Sequence, residues 1–167
     1  LGHSPKPVVD AVQEQMKHGV VYNAPNAHQV RLAKLLCERI PSFDLVRFTN
    51  SGTEATLNTI RAARAITGKN KIAKVEGGYH GSHDQVSVSV RVNPAKAGER
   101  SHPDAMAATE GLGEGTLDQV VVMPFNETAI AREILERHKD GLAAVIIEPM
   151  LGSVGMLPAT PEFLAML

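Results

Sequence analysis

The sequence holds one cysteine, no tryptophan and two tyrosines in 167 residues. A lone thiol cannot build an internal disulfide framework, and Cys37 falls in a helical pattern where it reads as a small core residue. With 17 basic and 18 acidic side chains the net charge is −1, which removes the electrostatic ground for a nucleic-acid or membrane-surface partner. No apolar run approaches the length of a bilayer span and no signal peptide is visible, so the expected location is the cytoplasm. His80 and His83 stand three apart beside Asp84, one residue short of the helical metal-pair spacing. No second cluster completes a ligand set, so no metal is expected. The Gly-rich run Gly111-Leu112-Gly113-Glu114-Gly115 neither follows a strand nor opens a helix, and both a phosphate loop ending in Gly-Lys-Ser/Thr and a Gly-x-Ser-x-Gly elbow are missing.

What is present is an ordinary apolar fraction, enough for a packed core, in a length that fits one domain or a large piece of one. The opening at Leu1 without Met, and the close in what reads as an unfinished helix at Glu162–Leu167, give the expectation of a segment cut from a longer protein. Ser4-Pro5 can start a helix striped by Val8, Val9, Val12 and Met16 and ended by Gly19. Asn26 can cap a second, with Val30, Ala33, Leu36, Cys37 and Ile40 on one face and Pro41 beyond it. Strands are expected at Leu45–Phe48, Lys71–Val75, Gln119–Met123 and Leu142–Ile147, and a strand or extended segment at Gln85–Val92, where valine alternates with polar residues. Helices are expected from Ser51 to a stop at Gly68, from a cap at Asn126 to His138, and from Thr160-Pro161. The stretch 93–116 has no period, and a loop that long is usually functional or mobile.

Apolar strands separated by amphipathic helices imply an α/β fold, a mostly parallel sheet with helices on both faces. The expected division is a helical segment over 1–40 and a partial α/β domain over 41–167. Ligands of such sheets sit beyond the carboxyl ends of the strands, where three turns fall: Asn50–Thr53, Glu76–Gly81 and Glu148–Gly155. In the first, Ser51 and Glu54 have the spacing of a capping box, Gly52 permits close backbone approach, and Ser51 and Thr53 add hydroxyls. Helix capping alone explains the pattern; so does an anion site, phosphate above all. In the second, Tyr79 lies between Gly78 and His80-Gly81, either a core aromatic at a turn or a plate for a flat cofactor. In the third, Glu148 either caps a neighbouring turn or points into the crevice, with Gly152-Ser153-Val154-Gly155 able to fold back over it.

In order, VRFTNSGTEA, KVEGGYHGSHD and AAVIIEPMLGSVGMLPATPEFL resemble the class III aminotransferases, fold-type I enzymes that use pyridoxal 5′-phosphate (PLP), with the glutamate-1-semialdehyde 2,1-aminomutase branch the most similar. The resemblance implies that Ser51, Gly52 and Thr53 hold the cofactor phosphate, that Tyr79 stacks on its ring, that His80 and Gly81 line the same pocket, and that Glu148 sits near the ring substituents or in the protein carboxylate network around them. It implies a gating loop over roughly Ser82–Gly115, a small-molecule amino or keto substrate, and a homodimer. Ser153 stands where the aminomutase carries an asparagine, and the glutamate gate of glutamate-using transaminases is missing. The expected activity is therefore amino-group transfer by a transaminase of this branch. The alternatives are the aminomutase proper, which makes a tetrapyrrole precursor, and a non-catalytic phosphate-ligand module. No lysine from Lys6 to Lys139 matches the family's cofactor-binding lysine, so the catalytic lysine is expected beyond residue 167 and the segment alone is expected to be inactive.

Overall fold

The computed structural model describes residues 2–167 and divides into two compact units, one running to Phe48 and the other spanning Thr49–Leu167. The first unit holds α1 (Lys6–Met16) and α2 (Ala27–Arg39). Asn26 caps α2 as its side chain implies, its Oδ1 accepting from the His28 and Gln29 amides. Ser4 does not cap α1; the cap position is Pro5 and no side chain bonds there. Neither helix contains a buried residue, and Val8, Val12 and Met16 are exposed. Cys37 is only partly buried. So short a unit has too little chain to cover its own apolar stripes. The strand expected at Leu45–Phe48 does not form: the segment has no regular secondary structure, and Leu45 is 92% exposed. A strand needs a neighbour for its N–H and C=O groups, and none pairs with it among the described residues.

The second unit opens with α3 (Gly52–Thr67), rich in alanine, capped by Ser51 and closed by Gly68 in the left-handed conformation. Next come β1 (Lys71–Val75), the small hairpin of β2 (Gly98–Glu99) and β3 (His102–Pro103), β4 (Val120–Met123), α4 (Thr128–His138), β5 (Leu142–Ile146), a second hairpin of β6 (Met150–Leu151) and β7 (Leu157–Pro158), and α5 (Pro161–Met166). The main sheet is parallel in the order β4-β1-β5. Side chains alternate across β1. Ala73 and Val75 join a core with Met123, Ala131 and Ile134 of α4 and Phe163 of α5, while Ile72 joins one with Ile60 of α3, Val86 and Val88. Phe163 is fully buried and meets Phe125 edge-to-face at 5.5 Å. Helices therefore cover both faces, as the apolar strands imply.

Two further segments depart from what their sequence suggests. Gln85–Val92 forms no strand: a 3₁₀ turn at Asp84–Val86 leads into bends with a single bridge, Val88 to Ala107. The valine alternation is real packing, with Val86 and Val88 buried, but Ser89 at φ 48° breaks the extended run. Asn126 does not cap α4. It sits at φ 60°, and its side chain donates to the Pro158 carbonyl (3.0 Å) and accepts from the Thr160 amide (2.9 Å). The stretch after Asn93 is tied down by the Ser89 amide on the Met106 carbonyl (2.7 Å) and the Ala108 amide on the Ser87 carbonyl (2.9 Å).

Candidate functional site

The mouth of α3 is a set of donors. Ser51 Oγ accepts from the Glu54 amide at 3.2 Å, and Glu54 Oε2 accepts from the Asn50 amide at 2.7 Å, a capping box displaced by one residue. Among the described residues no acceptor reaches the amides of Gly52 and Thr53. A Cβ built on Gly52 would meet nothing within 4 Å, so the backbone is open to a ligand. The hydroxyls of Ser51 and Thr53, each already accepting from an amide, keep their protons to donate.

The Tyr79 turn lies against this mouth. Ser82 N donates to Thr53 Oγ1 at 3.2 Å, and Thr56 Oγ1 donates to the His80 carbonyl at 2.7 Å. A Cβ on Gly81, at φ 108°, would stand 2.7 Å from Thr53 Oγ1 and 2.8 Å from its Cα, so only glycine lets the turn approach so closely. Glu148 joins the third turn to the second: Oε2 accepts from the Tyr79 amide at 2.9 Å and Oε1 from the Gly152 amide at 3.4 Å. Of the two readings of Glu148, its carboxylate acts as a cap, and it caps two turns at once. The glycines after it form the turn of the β6–β7 hairpin, which the sequence did not disclose because a two-residue strand leaves no periodicity.

A cavity of about 860 Å³ opens beside these turns, walled by Tyr79, Gly81, Ser82, Arg91, Ser153 and Val154 among others. Tyr79 is half exposed there. His80 does not line it. Its imidazole is buried beneath the turn, with Nε2 lacking a partner among the described residues and only 3.0 Å from where a Gly78 Cβ would be. Burial first, and then the Lys74 ammonium, push its pKa down to about 4, so it is neutral. His83 is a second anchor, with Nε2 3.2 Å from Thr56 Oγ1 and a pKa lowered by burial. Arg91 and Lys74 carried no motif. Lys74 lies on a strand whose other residues are apolar except Lys71 at its start, and its full burial is visible only in three dimensions. No group of three or more metal-binding side chains occurs among the described residues.

The family described as Aminotransferase class-III matches residues 1–167. The glutamate-1-semialdehyde 2,1-aminomutase of Aquifex aeolicus is 41% identical over 164 residues, 98% of this chain and 37% of that protein. Among solved structures, an omega-transaminase from Sphaerobacter thermophilus superposes with TM-score 0.92 at 46% identity, covering 98% of this chain and 37% of that one. A transaminase with PLP bound gives TM-score 0.87 at 38% identity, over 99% and 37%. The chain thus spans a little over a third of the length of the relatives it matches.

Proposed function

The chain belongs to the class III aminotransferases, a family that uses pyridoxal 5′-phosphate, and on that premise we propose that it supplies the phosphate- and ring-binding half of a PLP-dependent amino-group transfer site. The observation that carries the reading is the contact of two turns. Free amides and hydroxyls at the mouth of α3 stand against the turn bearing Tyr79, joined through Thr53 to Gly81 and Ser82. The fit to the cofactor rests on this donor set, since two unclaimed amides and two hydroxyls at a helix start suit a phosphate dianion.

In this reading Ser51, Gly52 and Thr53 hold the phosphate, Tyr79 supports one face of the ring, and Gly81 keeps the two turns in register. Glu148 fixes the Tyr79 backbone, and through Gly152 the hairpin that carries Ser153 toward the substrate. His80 acts from beneath the turn. When bound, the cofactor supplies the electron-poor ring over which amino groups are exchanged. The lysine that would hold it covalently, and the rest of a homodimeric site, would come from outside residues 1–167.

The parent protein, freed of bound cofactor and given PLP, should gain a near-visible absorbance band that borohydride shifts. Tight but borohydride-insensitive binding would instead support a binding module, and no binding would end the reading. The aminomutase is kept as a second reading because relatives such as the Aquifex aeolicus enzyme carry that name. Turnover of glutamate-1-semialdehyde without a second amino donor would select it over a transaminase.

A further inference from the structure

Lys74 is fully buried, at 0% exposure, on the central strand of the sheet. By alternation it shares the face of Ile72, the side covered by α3, and it lies near the carboxyl end of β1 where the site turns begin. Its Nζ donates to the Val88 carbonyl at 2.6 Å and to the Val75 carbonyl at 3.2 Å, and among the described residues no carboxylate pairs with it directly. Two carbonyls do not offset the loss of water around an ammonium. A methionine in its place would fill much the same space without that cost. An expense of this kind, set under a ligand site, points to a use in binding.

Resting on the function proposed above, we infer that Lys74 is a positioning residue for the anion: its interior charge balances Glu148 and Glu76, so that a phosphate dianion can settle on the mouth of α3. Glu148 lies two residues beyond the end of β5, Glu76 is the first residue after β1, and Glu76 also walls the cavity. Without the ammonium those two carboxylates would meet a dianion with only the Arg100 guanidinium, acting on Glu76, to oppose them. The titratable groups whose charge acts on or is acted on by Lys74 are Glu148, Glu76 and His80, with Arg100 acting in turn on Glu76; the apolar cluster on this face holds Ile60 of α3 with Val86 and Val88.

Desolvation lowers the Lys74 pKa to about 8, with Glu148 and then Glu76 partly restoring it. A bound dianion favours the charged form and raises that value. Anion affinity should therefore be full between about pH 7 and 8 and decline as pH rises beyond 8. A phosphate monoester, with a second pKa of about 6, is already a dianion across that range.

The test is made on the full-length protein, measuring dissociation constants for PLP and for pyridoxal, which lacks the phosphate, together with the thermal midpoint of the cofactor-free form. For Lys74→Met at pH 7, PLP binding should weaken about tenfold, the order of one interior charge interaction at moderate distance, while pyridoxal binding stays within twofold and the midpoint holds or rises. Lys74→Arg should recover most of the PLP affinity. A midpoint that falls in step with affinity for both ligands would reduce Lys74 to a structural part, and an unchanged PLP constant would remove it altogether. If Lys74→Met does not fold, the wild-type ratio of PLP to pyridoxal affinity decides the matter: a decline through pH 8 supports the inference and a flat ratio overturns it. Failure of the wild type to bind PLP at all would sink the functional reading, whereas binding indifferent to Lys74 would sink only this inference.

Discussion

At the scale of single residues, the tightest constraint is Gly81, where a methyl group would strike the Thr53 backbone at 2.8 Å in a conformation that L-residues avoid. Gly81→Ala should cost more than about 2 kcal/mol, read as a lowered urea midpoint with unchanged slope. Ser51→Ala with Thr53→Ala should weaken PLP binding by roughly 1–3 kcal/mol, the scale of hydrogen bonds to a charged group; unaltered affinity in a direct titration would move the phosphate elsewhere. His80 gives a pH signature. Its folded pKa of about 4 lies below the ordinary 6.5, so between those values the unfolded chain binds a proton that the folded one refuses. Stability from this group is complete above pH 6.5 and lost as pH falls toward 4, by an amount on the order of 3 kcal/mol. His80→Gln should flatten that part of the stability–pH curve. The sequence announced the glycines and hydroxyls because backbone chemistry is local. It could not announce the burial of His80 or Lys74, which depends on what the chain places above them.

At the scale of elements, α2, α3, β1, β4 and β5 were legible because their caps, stops and apolar runs all agreed, as Ser51 and Gly68 do for α3. Gln85–Val92 is broken from within by Ser89 at φ 48°; at two other segments the residues suit an element and the partner decides the outcome. Leu45–Phe48 has the composition of a strand and, among the described residues, no neighbour to pair with. Asn126 has the chemistry of a cap and spends it on Pro158 and Thr160 instead. Asn126→Ala should therefore loosen the start of α5, raising amide exchange at Phe163 and Leu164 more than anywhere in α4. The cost should be about 1–2 kcal/mol for two lost hydrogen bonds.

At the scale of the molecule, the two units differ in kind. Thr49–Leu167 carries both hydrophobic clusters, while the helices before Phe48 bury nothing fully. Exchange on this chain by itself should leave α1 and α2 almost unprotected and β1 and β4 slowest, since protection tracks buried contacts. The parallel order β4-β1-β5 sends the chain leaving β1 toward β4 and places β5 on the other side, so the crevice that such a reversal opens lies at β1. There Glu148 reaches from the end of β5 to the turn after β1. One acid group holding two loops makes a shared latch: a guest that draws a lone pair away from it would slacken the ring support and the glycine flap together, and its departure would let both snap back.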